Sequence, residues 1–357
     1  VTAEQAVEMA EMDKADARRR RVEGCLLGTA VGDALGLPCE GLDPRVIQRR
    51  FTPLNRFRLV GPWGFVSDDT EQSALVAQSL AHGFAAVGVD DDDEIERAVD
   101  IATRVFRRAL LGWFWRLPFG VGLATIRAAF KLTLGLKNSG VSSAGNGAAM
   151  RSGVIGAIFA DPTQRQLRRR VAERFARVTH TDSRAVEAAV FVANVAAADD
   201  DDDAIDDVRD ADLKDALIRA RALADAKADV AAAGAALGVS GFVMHSVPFA
   251  WFCICRSGAT FDAVVAAIEG GGDADTNAAI VGGWVGARAP EAIPVELVGA
   301  LVGGPFGPKH LRTLATAIGA GRRPPGYFWP LAMLRNLALY PVVLAHGFRR
   351  LLPEAPR

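Results

Sequence analysis

The sequence is short of the side chains that staple or metallate small scaffolds: 357 residues hold four cysteines and five histidines. Four thiols (Cys25, Cys39, Cys253 and Cys255) do not make a disulfide framework in a chain this long, and they suit a reducing compartment. Cys253-Ile254-Cys255 lacks zinc-knuckle spacing, so no structural zinc site is expected. The formal net charge is −1, which provides no overall excess to make nucleic acid or an anionic membrane the main partner. In the apolar tail Arg335, Asn336, Pro341 and the Arg349-Arg350 pair interrupt the sequence, so no unbroken run approaches the roughly 20 residues that span a bilayer. No signal peptide is read in the polar stretch up to Arg21, and the expected location is the cytoplasm. Strand-like alternation is scarce and the segments share no fixed period, which disfavours sheets and solenoids.

What is present is helix. Half of the residues are apolar, enough for a sizeable core. Apolar residues recur at three and four over 71–84, 94–111, 122–134, 164–178, 183–197, 211–237, 260–269 and 278–287, so the expected class is all-α. Two acidic runs, at 90–94 and 199–203, read as solvated loops between helices. The tail is rich in Leu, Phe and Pro and predicts one or two helices packed on the body, with loose membrane contact through Phe328 and Trp329 as a second reading. The expected organisation is a polar N-terminal segment at 1–22, one domain at 23–322 and an apolar helical extension at 323–357.

Two clusters carry oxygen ligands. Ser67-Asp68-Asp69-Thr70 follows a Gly/Pro stretch and opens a helix. Adjacent carboxylates repel unless a cation lies between them, and hydroxyls beside them suit Mg²⁺. The same residues also read as a helix N-cap. Asp273-Ala274-Asp275-Thr276 follows three glycines; residues two apart on extended chain face one side, so both aspartates reach one ion. The EF-hand pattern is absent. Four carboxylates together balance two divalent cations.

Three further segments matter. Ser143-Ala144-Gly145-Asn146-Gly147 is small and flexible and reads as a phosphate loop presenting N–H groups near Asn146, without the lysine of an NTPase loop. Gly24, Gly28, Gly32 and Gly36 form a helical stripe for close packing, with Asp33 as a buried hydrogen-bonding acid and Glu40 just past the helix end. His180 reads as a satisfied loop histidine or as a ring for a purine or phosphate.

In this order, the segments at 24–40, 67–72, 145–151, 179–182 and 271–277 resemble the ADP-ribosylglycohydrolase family. The resemblance implies a compact orthogonal all-α bundle around a binuclear Mg²⁺ or Mn²⁺ site. It implies metal ligation by Ser67, Asp68, Asp69, Asp273, Asp275 and Thr276. Glu40 matches a flap glutamate, and Glu40, Asp68 and Asp69 are the candidate catalytic acids. Ser143, Ala144, Gly145, Asn146, Gly147 and His180 match the substrate cleft. Ser67 replaces the usual Thr and keeps the oxygen; Ala274 replaces a Thr between the ligands and loses a bond to them. The expected activity is hydrolysis of an N- or O-glycosidic bond to ADP-ribose, with ADP-ribosylarginine on protein or a small conjugate as substrate. The alternatives are an inactive ADP-ribose-binding member, a two-metal nucleotide phosphohydrolase, and an immunity protein using the same chemistry. A monomer is expected, with no nucleic acid required.

Overall fold

Aspartate starts five of the helices. Asp43, Asp91, Asp182, Asp210 and Asp229 each accept a backbone N–H from two or three residues ahead, as in Asp91 to Glu94 at 2.7 Å. The computed structural model describes residues 3–87, 91–197, 201–302 and 304–351. Among them lie seventeen α-helices and no sheet, only isolated bridges. In order they are α1 Ala3–Gly36, α2 Pro44–Phe51, α3 Asp68–Phe84, α4 Asp92–Phe114, α5 Leu123–Thr133 and α6 Gly153–Ile158. Then come α7 Arg165–Ala176, α8 Ser183–Ala196, α9 Asp201–Asp206, α10 Ala211–Asp225, α11 Val230–Leu237 and α12 Val243–Ser257. The last are α13 Phe261–Glu269, α14 Ala274–Arg288, α15 Val295–Ala300, α16 Pro308–Gly319 and α17 Trp329–Leu351. The all-α expectation holds.

The glycine stripe sets the frame. A Cβ at Gly24, Gly28 or Gly32 would sit 2.0 Å from the carbonyl oxygen of Gly286, Gly282 or Ala278, and one at Gly36 would sit 2.5 Å from that of Ala274. Helices α1 and α14 therefore touch backbone to backbone, the most extensive helix contact in the fold. This brings the end of α1, with Asp33, to the start of α14, with Asp275. On its far side α14 packs Trp284 edge-on against Phe191 and Trp251, all buried.

Several expectations change. The span 211–237 is two helices, because Lys227 takes φ 53° and breaks the run. The acidic runs are less loop-like than read. Asp91 caps α4 and Asp92 to Glu94 fill its first turn, while α9 begins inside the second run, where acids suit the helix dipole. Residues 88–90 and 198–200 lie outside the described ones. Helix α12 shows no clear periodicity because every residue from Ser246 to Ile254 is buried. The tail forms one helix, α17, held by polar side chains. Arg335 binds Glu71 and the Val66 carbonyl, Asn336 donates to Arg116 O at 3.0 Å, Tyr340 donates to Pro118 O at 3.1 Å, and His346 Nε2 lies 3.0 Å from Pro38 O.

Candidate functional site

The first cluster is organised from below by Asp33. This fully buried carboxylate accepts the backbone N–H of Ser67 at 2.9 Å and of Thr70 at 3.2 Å, and the Thr70 hydroxyl at 2.5 Å. It performs the N-capping that Ser67 does not, since the Ser67 side chain makes no cap bond. Ser67, Asp68 and Asp69 are thereby free of capping duty. Ser67 Oγ instead lies 3.3 Å from Asp69 Oδ2, and Asp68 Oδ2 accepts Gln72 Nε2 at 2.9 Å.

The second cluster meets the first across the molecule: Thr276 Oγ1 lies 3.4 Å from Asp69 Oδ2, 207 residues away in sequence. The three-glycine run makes this turn. Gly271 and Gly272 have φ of 72° and 64°, and a Cβ at either would strike a carbonyl, that of Leu42 or Val239. Glu40 is brought alongside by a backbone pair, Gly41 N to Gly272 O at 2.6 Å and Gly272 N to Leu42 O at 3.1 Å. One carboxylate oxygen each from Glu40, Asp273 and Asp275 lie within 4.8 Å of one another.

The loop at 143–147 forms the facing wall. Asn146 Nδ2 donates to Asp273 Oδ2 at 2.6 Å, tying the loop to the second cluster. The Asn146 backbone N–H is given to Gly241 O at 3.0 Å, which ties this loop to residue 241. Ser143 Oγ accepts Gly145 N at 3.3 Å, and Ala144 O accepts Val243 N at 2.8 Å, which makes Ala144 a structural anchor. His180 is 2% exposed and packs against Gly147, where a Cβ would come within 3.1 Å of its ring. Burial, and then the charge of Arg151, lower its pKa to about 3, so it is neutral at physiological pH.

Arg151 is buried and connects the walls. It donates to Gln72 Oε1 and Thr179 Oγ1 at 2.7 Å and to Gly147 O at 2.8 Å. Gln72 holds Asp68, and Thr179 Oγ1 lies 2.8 Å from His180 Nδ1. A continuous polar chain thus runs from the first cluster to His180.

A cleft of about 540 Å³ opens between these walls, lined by Glu40, Asp68, Asp273, Thr276, Ser143, Gly145, Asn146, Gly147 and His180 among others. Ser67, Asp69 and Asp275 stand behind this lining. The donor set fits hard divalent cations. Asp69 Oδ1 and Asp275 Oδ1 are buried without a hydrogen-bond partner, an arrangement that costs stability unless a cation satisfies it. Burial raises Asp68, Asp69 and Asp275 well above the usual carboxylate range, and mutual repulsion adds to it. Burial likewise lifts Asp33 from 3.8 to about 6.

These shifts set a sign. A carboxyl raised in the folded state contributes stability below its unfolded pKa, and that stability is lost as pH rises through the folded value. Without metal, stability should fall from about pH 4 upward, through 6 for Asp33 and further for the others. Calorimetric melting in EDTA should show this decline, and saturating Mg²⁺ should remove most of it. A flat profile in EDTA would contradict it.

The sequence reading missed three parts of the site. Residues Val239 to Phe242 support the second cluster and the loop at 143–147: Val239 O accepts Asp273 N at 2.7 Å, Gly241 O accepts Asn146 N at 3.0 Å, and Ser240 and Gly241 line the cleft. Gly120, with φ 81°, packs so closely that a Cβ would lie 2.8 Å from Asp68 Oδ1. Neither stretch carries a chemical signature. The third is the Gln72–Arg151 link, which only tertiary structure brings together. Trp113 is part of the core and donates to Glu71 at 2.6 Å, while Trp63 and Trp115 are exposed and stand outside the cleft lining.

Comparison with known proteins agrees with this geometry. The model of the ADP-ribosylglycohydrolase family matches residues 14–326. An uncharacterised protein of Archaeoglobus fulgidus is 32% identical over 286 residues, covering 75% of this chain and 87% of the relative. A solved structure described as an ADP-ribosylglycohydrolase-related protein complex superposes with a TM-score of 0.55 at 26% identity, covering 85% of this chain and 99% of the other.

Proposed function

The chain belongs to the ADP-ribosylglycohydrolase family, and from that premise we propose that it hydrolyses the bond between ADP-ribose and an acceptor, with arginine-linked ADP-ribose on protein as the first substrate. The observation that carries this is the meeting of Asp69 and Thr276 at the floor of a cleft whose other wall is the loop at 143–147. The cleft volume, about 540 Å³, falls in the range of nucleotide-sized ligands.

Ser67, Asp68, Asp69, Asp273, Asp275 and Thr276 would hold a pair of Mg²⁺ or Mn²⁺ ions. Such ions polarise ribose hydroxyls and lower the pKa of water. The chain's own groups do the rest. The small residues Gly145 and Gly147 let a diphosphate approach the backbone, and Ser143 offers a hydroxyl. His180, neutral and fixed by Thr179, presents a polar edge without charge. Glu40, exposed at the mouth beside Asp273 and Asp275, is placed to take a proton from water.

Glu40→Gln is expected to lower kcat by about 10²–10⁴ while leaving metal affinity within a few-fold. Titration calorimetry with Mn²⁺ checks the second half; joint loss of metal and turnover would make Glu40 a ligand instead of the base. The function itself is tested with ADP-ribosylarginine and ADP-ribosylserine peptides in Mg²⁺, Mn²⁺ and EDTA, reading free ADP-ribose. Absence of release from both, or release that survives EDTA, sinks the proposal. Phosphate release in its place would indicate a nucleotide phosphohydrolase.

A further inference from the structure

Helix α17 is inside out for a protein in water. Of its described side chains, the polar Arg335, Asn336, Tyr340 and His346 contact the body. Its outer face is apolar: Leu331, Leu334, Leu337, Leu344 and Phe348 are exposed, from 47% at Leu331 to 66% at Phe348. A contiguous apolar stripe of this kind on a soluble surface marks an interaction site. The helix lies beyond residue 326, where the family match ends.

The near-neutral net charge conceals a strong segregation. Between Leu297 and Pro353 the sequence has seven lysines and arginines and no aspartate or glutamate. Arg312 and Arg335 are paired with Glu23 and Glu71, while Lys309, Arg322 and Arg323 are exposed. Exposed Phe328 and Trp329 stand at the start of α17, and Arg349-Arg350 follow its apolar stretch in sequence. Aromatic residues and arginines flanking an apolar helix in sequence are the pattern of a membrane–water interface.

We propose that the outer face of α17 docks on an anionic lipid bilayer, with the helix lying in the membrane plane. The segment Trp329–Phe348 is long and apolar enough to cross a bilayer by length and composition. Crossing would pull Arg335 from Glu71 and leave that buried carboxylate unpaired, which favours the in-plane pose. A second copy fits poorly. Pro341 sits mid-helix, Ala338 and Ala345 make weak knobs, and no charge pairs flank the stripe to set register. Two copies would also bring like-charged segments together, whereas anionic headgroups attract them. The docked helix would lie directly behind the site, since it contacts Glu71 of α3 and Pro38 next to the Glu40 turn.

The test is co-sedimentation of the full chain with phosphatidylcholine vesicles, with and without about a third phosphatidylglycerol. Binding is expected with phosphatidylglycerol, is much weaker without it, and weakens with salt. Leu334→Gln, Leu337→Gln and Leu344→Gln combined should lower partitioning by roughly tenfold or more with an unchanged melting temperature. Arg322→Gln with Arg323→Gln should weaken binding to the anionic vesicles alone. No binding to either vesicle, equal binding to both, or full binding by the leucine variant overturns the proposal. So does a dimer, seen by light scattering without vesicles, that the leucine variant dissociates.

Discussion

Asp275→Ala is expected to show no saturable Mn²⁺ binding by titration calorimetry and to lose turnover by more than about a hundredfold, since even residues that only orient ligands cost 10–100-fold. Asp275 is 5% exposed, its Oδ1 has no protein partner, and its neighbours in charge are Glu40, Asp273 and Asp69. In the metal-free protein this crowding is unfavourable, so removing one carboxylate should not lower the EDTA melting temperature and is expected to raise it. The wild type should gain about 5 °C with metal at a hundred times its Kd. The variant should gain nothing. This pairing of a steadier apo form with a lost metal response separates a ligand from a merely structural acid. If Asp275→Ala melts lower in EDTA and still responds to Mg²⁺, the carboxylate is structural and the metal shell is drawn wrongly.

The parts of the site legible in sequence are those whose chemistry is local. Ser67 to Thr70 and Asp273 to Thr276 each pack several oxygen donors into four residues, which needs no tertiary information to see, although Asp275 lies in the first turn of α14 and not on the extended chain that its spacing suggested. The glycine stripe was equally plain, because a four-residue period on a helix is a single face. What sequence could not show is who supports whom. Asp33 caps α3 from 34 residues away in sequence, which frees Ser67 for the site. Arg151 reaches Gln72 across 79 residues, and Gly241 holds the Asn146 N–H from a stretch with no chemical signature. The helix break at Lys227 lacks a Gly or Pro signal, so an alanine-rich span read as continuous. Helix α17 does pack on the body, through Ala332 and Leu339 as well as its polar groups, but most of its large apolar residues face outward, because Arg335, Asn336, Tyr340 and His346 found partners on the inner face.

The stripe makes the second large prediction. Gly→Ala within a helix normally stabilises by up to about 1 kcal/mol. Here a Cβ at Gly24 would lie 2.0 Å from Gly286 O and one at Gly36 would lie 2.5 Å from Ala274 O and Asp275 Cα. Backbone atoms cannot swing aside, so α1 and α14 must separate, and overpacking of this kind costs about 1–3 kcal/mol. Gly28→Leu, with a larger side chain aimed at Gly282, should cost about 4 kcal/mol or more and lower the melting temperature by roughly 5 °C. The single-methyl variants separate packing from function. Gly24 lies three turns from the end of α1, whereas Gly36 rests on the residue that carries the Asp275 carboxylate. Both Gly24→Ala and Gly36→Ala should melt lower than wild type, but only Gly36→Ala should also weaken Mn²⁺ binding. Equal loss of affinity in both would mean that the whole interface, and not its site-proximal turn, sets the spacing between the two acidic clusters.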